Sequence, residues 1–283
     1  MMNKILVPTD FSENAAKAAE YAAMMADKSG ATICFFHAIE PVADQVRQPF
    51  SLHDKFFREM ENARLRYLDE FRAGVVEKFP TVKTETFLDY GSSIESILNF
   101  AEKFQPDLVV MGTKGASGLK EVFIGSIAAG VIGQSKWPVI TVPDEYAVEP
   151  IDTVLLATNH FEKENKLLNP VVEIAGLFSA GIHAVVFVDT DTAVAVDYSN
   201  NAWELNNYVD YLKRKFPGVS FKGELIDGKE FEDTIENYYR ANSVDIIAMF
   251  TYHKNIWERI WKRSVTKKMA YHSKIPILAI PVK

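Results

Sequence analysis

Along the chain, short runs of Val, Ile and Leu alternate with longer stretches in which apolar residues recur every three or four positions. Strand-length apolar runs separated by helix-length amphipathic ones are the pattern of a parallel sheet with crossover helices. In the first half the pattern predicts strands at 4–7, 32–38, 83–87, 108–111 and 139–142. It predicts helices at 13–28, 51–79, 94–104 and 126–135. Punctuation supports these bounds. Ser12 can cap the first helix and Gly30 can stop it, Ser92 or Ser93 can open the third, and Pro80, Pro106 and Pro138 stand past the ends of the others.

The second half repeats this order, with strands predicted at 154–157, 183–188, 220–225, 246–250 and 277–280 and helices at 163–180, 201–216, 231–241 and 257–272. The match reaches individual residues. Ile5-Leu6-Val7-Pro8-Thr9-Asp10 aligns with Val154-Leu155-Leu156-Ala157-Thr158-Asn159, and Lys78-Phe79-Pro80 with Lys215-Phe216-Pro217. Trp137-Pro138-Val139-Ile140 likewise aligns with Ile275-Pro276-Ile277-Leu278. Such correspondence indicates duplication, with one domain expected over 1–144 and a second over 152–283. The first copy is longer, and the extra residues, 40–54, are expected to form a surface loop.

Composition narrows the function classes. The 283 residues suit two domains, and a formal charge of -7 argues against general nucleic-acid binding, which needs a basic field. The single cysteine, Cys34, excludes an intrachain disulfide and a Cys-rich metal site, and reads as a small buried hydrophobe. No apolar run approaches membrane-spanning length and the N-terminus lacks a signal-peptide pattern, so a cytoplasmic protein without membrane contact is expected. The six histidines show no close ligand spacing, and no structural metal is expected.

The candidate chemistry lies after the fourth strand, in Met111-Gly112-Thr113-Lys114-Gly115, then nine residues, then Gly125-Ser126 opening a helix. Glycines at 112 and 115 let the backbone turn sharply and approach a phosphate. The helix start directs unpaired N–H groups and the positive dipole end at an anion. Ser126 can cap that helix or donate its hydroxyl to the phosphate. At the end of the first strand, Pro8-Thr9-Asp10-Phe11-Ser12 faces this loop if strands one and four are neighbours, as at the switch point of an open α/β sheet. Asp10 can then accept from an adenine amine or a ribose hydroxyl, cap the first helix, or do both through different oxygens. A Walker lysine motif, a Gly-x-Ser-x-Gly elbow and a Gly-x-Gly-x-x-Gly after the first strand are all missing, which leaves P-loop, hydrolase and dinucleotide readings without their key groups.

Pro8-Thr9-Asp10-Phe11-Ser12, Gly112-x2-Gly115-x9-Gly125-Ser126 and Trp137-Pro138-Val139-Ile140-Thr141-Val142-Pro143 together resemble the universal stress protein (UspA) family. The resemblance covers the chain as two tandem copies. It implies two open-twisted parallel five-stranded sheets of order 3-2-1-4-5 with helices on both faces, Rossmann-like and close to the adenine nucleotide alpha hydrolases. It also implies ATP or AMP as ligand, with Mg²⁺ able to accompany ATP as a counter-ion. By motif, the nucleotide falls to Pro8, Thr9, Asp10, Ala38, Met111, Gly112, Lys114, Gly115, Gly125, Ser126 and Ile127. Family homodimers pair through their last strand. In a tandem chain that contact can be internal, pairing 139–142 with 277–280, with further homodimerisation still open and the protein partner unspecified.

The second copy departs at the diagnostic positions: Phe250, His253 and Arg263 replace Gly112, Gly115 and Gly125, Asn159 replaces Asp10, and only Ser264 matches Ser126. One nucleotide per chain, in the first copy, is therefore expected, serving a stress-response or regulatory role. Two other readings remain open: a slow ATPase or nucleotidyl-transfer enzyme in the same pocket, and a nucleotide-free interaction protein. The aromatic-basic segment from Trp257 to Lys268 reads as an amphipathic helix.

Overall fold

The computed structural model describes residues 2–40, 50–113, 125–252 and 273–282. The first half runs β1 (Lys4–Pro8), α1 (Glu13–Ser29), β2 (Thr32–Ile39), α2 (Phe50–Lys78), β3 (Lys83–Tyr90), α3 (Ser93–Phe104), β4 (Leu108–Gly112), α4 (Ser126–Gln134) and β5 (Val139–Val142). The second runs β6 (Thr153–Ala157), α5 (Asn165–Phe178), β7 (Gly181–Asp189), α6 (Ala195–Lys215), β8 (Phe221–Gly228), α7 (Phe231–Ala241), β9 (Ile246–Tyr252) and β10 (Ile277–Val282). The expected helix at 257–272, most of the expected loop at 40–54, and Lys114, Gly115, His253, Arg263 and Ser264 lie outside the described residues.

All ten strands join one sheet in the order β3-β2-β1-β4-β5-β10-β9-β6-β7-β8. Each half has the expected parallel order 3-2-1-4-5. They meet where β5 and β10 pair antiparallel, with Thr141 opposite Ile277, Ile140 opposite Leu278 and Val139 opposite Ala279. Joining the last strands leaves β3 and β8 as the sheet's edges.

The helices cover both faces because β1, β4 and β5 are apolar on both sides. One core cluster runs across the seam, drawing Tyr21, Met25 and Phe35 from the first half and Leu168, Ile174 and Tyr208 from the second. On the other face there are two clusters, one around Phe36, Phe100 and Val131 of the first half that also takes in Ala279 across the seam, and one around Ile235, Tyr238 and Ile247 of the second. Helix α1 begins at Ser12, whose hydroxyl accepts from the Ala15 N–H at 3.2 Å. It ends at Gly30 in a left-handed conformation, φ 75°, with the Gly30 N–H donating to the Ala26 carbonyl.

The duplication extends to hydrogen bonds that no apolar pattern predicts. Asp107 Oδ2 accepts the Asn3 and Lys4 N–H groups at 2.7 and 3.0 Å, and Asp245 Oδ2 accepts those of Asp152 and Thr153 at 2.7 and 2.9 Å. The Ser135 hydroxyl donates to the Trp137 carbonyl before β5, and Ser273 does the same to Ile275 before β10.

Several elements run past their expected bounds, β3 and β8 by three residues each, to Tyr90 and Gly228, and two further departures have a visible cause. Helix α6 starts at Ala195, six residues before the expected 201, because the Asp197 carboxylate accepts the Val194 N–H at 2.9 Å and holds the first turn. Val194 and Val196 are exposed there, so the amphipathic pattern hides that turn. Strand β9 extends past the expected 250 to Tyr252, pairing Thr251 and Tyr252 with Pro281 and Val282 of β10. Among the described residues no helix is long and apolar enough to cross a membrane.

Candidate functional site

Strands β1 and β4 are neighbours, with Ile5 opposite Leu108 and Leu6 opposite Val109. Their carboxyl ends open a cleft of about 150 Å³. This is the switch point of the first half-sheet, where the chain leaves β1 and β4 toward opposite faces. Pro8, Thr9, Asp10, Ala38, Met111, Gly112, Gly125, Ser126 and Ile127 all line it. Of the sequence-derived set, Lys114 and Gly115 fall outside the described residues.

The turn out of β1 is held from several sides. The Thr9 N–H donates to the Phe36 carbonyl at 2.8 Å, and the Thr9 hydroxyl accepts from the Phe11 N–H at 3.0 Å. Phe11 is left-handed, φ 65°, a conformation that costs a bulky residue energy and is kept only where its surroundings impose it. Its ring lies 4.4 Å from that of His37, which in turn places Nδ1 2.7 Å from the Thr9 carbonyl. That carbonyl can only accept, so Nδ1 carries the proton. Burial lowers the His37 pKa below 6.5 and outweighs the opposing effect of the Thr9 hydrogen bond, with Arg64 lowering it further and Asp10 raising it. Asp10 Oδ1 accepts the Ser12 N–H at 3.1 Å, so part of the carboxylate closes the turn before α1.

The far wall is the start of α4. Gly125 takes the cap position and Ser126 is the first helical residue, so of the two roles open to Ser126 the capping one is not realised; among the described residues no side chain caps this helix. The Ala129 N–H reaches back to the Gly125 carbonyl, which leaves the N–H groups of Ser126, Ile127 and Ala128 without intrahelical acceptors. All three residues line the cleft. Before the helix, the Gly125 N–H donates to the Thr113 carbonyl and the Thr113 N–H to the Val142 carbonyl.

Gly112 has a different structural reason from the one the motif suggests. A Cβ there would lie 2.5 Å from Asn14 Oδ1, so the glycine makes room for Asn14, whose Nδ2 donates to the Val142 carbonyl at 3.0 Å. Its φ is not in the left-handed range, so close approach explains it and turn geometry does not.

Sequence reasoning missed Ala15, Phe36, Ser93, Ile97 and Ala128 in the lining. Ser93 and Ile97 are one turn apart on α3, a helix that carried no motif. The described lining has one carboxylate, Asp10, and neither Lys nor Arg. An anion in this cleft would therefore be met by backbone N–H groups and the dipole of α4. Among the described residues no three or more His, Cys, Asp or Glu gather to hold a metal.

The second half carries a corresponding cleft between the ends of β6 and β9, lined by Thr158, Asn159, Val185, Met249 and Tyr252 among others. Thr158 repeats Thr9, its N–H donating to the Val185 carbonyl at 3.0 Å, and Phe161, one residue beyond the position aligned with Phe11, is left-handed as Phe11 is, at φ 51°. Where β4 ends at Gly112, however, β9 continues as paired strand through Tyr252.

Comparison with known proteins places this geometry in context. A family model described as "Universal stress protein family" matches residues 1–143. A universal stress protein of Thermus aquaticus is 32% identical over 142 residues, covering 50% of this chain and 99% of the relative. A universal stress protein of Methanocaldococcus jannaschii is 30% identical over 154 residues, covering 50% of this chain and 95% of the relative. Among solved structures, a universal stress protein from Archaeoglobus fulgidus aligns over 99% of both chains with a TM-score of 0.73 at 18% identity, which is a likeness of fold across both halves.

Proposed function

The chain belongs to the universal stress protein family as a tandem member, and from that premise we propose that it binds one adenine nucleotide, ATP or AMP, in the cleft of its first half. The observation that carries this reading is the meeting of Asp10 with the first turn of α4 across the β1–β4 switch point. Base and ribose would lie against Thr9, Asp10, Ala38 and Met111. The phosphates would reach the N–H groups of Ser126 and Ile127, together with Gly115 and Lys114 of the connecting loop. Mg²⁺ would travel with ATP as a counter-ion, since Asp10 is the one carboxylate in the described lining. With no second carboxylate there to serve as base or metal ligand, binding rather than hydrolysis is the activity supported. The nucleotide would then act as the signal read by a stress-response or regulatory module.

Calorimetric titration of the full chain with ATP and AMP tests this. The expected stoichiometry is one per chain, weakened in Asp10→Ala and lost in Gly115→Val. No heat at millimolar nucleotide, or two equivalent sites, would overturn it.

A further inference from the structure

The cleft of the second half is not a collapsed remnant of the first. Its polar centre is Glu162, a buried carboxylate. Glu162 Oε2 accepts from the Thr158 hydroxyl at 2.7 Å and Oε1 from the Tyr252 hydroxyl, while its backbone carbonyl accepts from Tyr208 at 2.8 Å. Tyr252 supplies its hydroxyl from the extension of β9, at the register where the first half has already left β4 for its loop. The cleft thus carries, on the side of α5 and α6, a carboxylate held between two hydroxyls.

The rest of the lining is aromatic and apolar. Phe187 stands at the strand position of Ala38, and it packs edge-on against Phe231 at 5.3 Å. Met249 lies opposite on β9, and His160 meets Tyr252 at 4.9 Å between ring centroids. Neither Lys nor Arg is among the described lining residues. Flat walls of Phe and Met favour a planar ring, and a carboxylate favours a ligand that offers N–H groups and repels one that brings phosphate.

We propose that the second cleft is a separate binding site for a planar, N–H-bearing ring compound without phosphate, with Glu162 setting the discrimination against anions. The site does not depend on nucleotide binding in the first half, and the two can be read apart in one experiment. Met111 lines the first cleft and Met249 the second, so ¹³C-methyl methionine NMR of the full chain reports each separately. Met111→Leu and Met249→Leu assign the two signals. Adenosine and AMP are suitable probes, since they share an amino-bearing ring and differ by the phosphate.

The expected result is that adenosine shifts Met249 at least tenfold more effectively than AMP does. In Glu162→Gln, which removes the charge and keeps the shape, that preference should shrink to less than threefold. The wild-type titrations stand alone if this variant fails to fold. A Met249 signal unmoved by 10 mM adenosine, or moved equally by both probes, would overturn the inference. A Met111 signal that ignores AMP would instead overturn the first-half reading and leave this one standing.

Discussion

Gly112 and Asn14 form a fitted pair: a Cβ on the glycine would sit 2.5 Å from Asn14 Oδ1, and the carboxamide it would displace ties α1 to the end of β5 through the Val142 carbonyl. Gly112→Ala therefore forces out a buried side chain and breaks a buried hydrogen bond. The expected loss is about 1–3 kcal/mol in urea denaturation. In Asn14→Ala the obstruction is gone, so Gly112→Ala on that background should cost much less. A double-mutant cycle showing additive effects would contradict the pairing.

This pair also shows where the sequence was legible. Glycines 112 and 125 marked the correct strand end and helix start, because strand, turn and helix signals are local. The reason for Gly112 was not local, since Asn14 lies about a hundred residues away and no periodicity points to it. The order 3-2-1-4-5 and the β5–β10 seam followed from resemblance and from the pattern of duplication. Glu162 and Tyr252 escaped notice because their meeting requires β9 to run on as strand, where the aligned first copy suggested a loop. Periodicity also missed the first turn of α6, whose exposed valines break the amphipathic pattern.

The seam between the halves holds a testable defect. Thr141 is 1% exposed and, among the described residues, its hydroxyl finds no hydrogen-bond partner, directly across from Ile277. Burying an unpaired hydroxyl typically costs about 1–3 kcal/mol, so Thr141→Val, similar in shape, should raise stability by about 1 kcal/mol. Thermal unfolding of both proteins checks the sign. A lower melting temperature in the variant would mean that the hydroxyl is satisfied.

Cys34 should behave as an inert thiol in the native protein. Burial, helped by the nearby Glu85 charge, pushes its pKa up to about 12 from an ordinary 9.0. A shift of that size lowers the thiolate fraction at pH 8 roughly a thousandfold, and labelling by a disulfide reagent should be slow until urea unfolds the chain. The fold holds the proton on. Its contribution to stability is therefore complete below pH 9 and declines as pH rises from there toward 12. Rapid native labelling at pH 8 would refute this placement.

His37 carries the opposite pH dependence. Burial holds its pKa below 6.5, so the unfolded chain takes up a proton on acidification before the native one does. Stability from this group is present above pH 6.5 and falls as pH drops through the native value. His183, lowered by burial and by Lys222, adds to the same trend. Denaturation midpoints should decrease from pH 7.5 to 5.5, and less so in His37→Gln. Proton NMR of the His37 ring should show titration below 6.5; a midpoint at or above that value would be inconsistent with the burial of this ring.

The start of α4 allows stability and binding to be separated. Its first turn has no acidic residue and no side-chain cap, so Ser126→Asp would place a negative charge where the helix dipole favours it. Without ligand the variant should be more stable, by about 0.3–1 kcal/mol. The same charge would occupy the position proposed for a phosphate and repel it, and a loss of tenfold or more in ATP affinity is expected, corresponding to about 1.4 kcal/mol. A substitution that merely damaged the loop would lower both quantities. Calorimetry and thermal unfolding on the same sample distinguish these cases, and unchanged ATP affinity in a more stable Ser126→Asp protein would move the phosphate site away from α4.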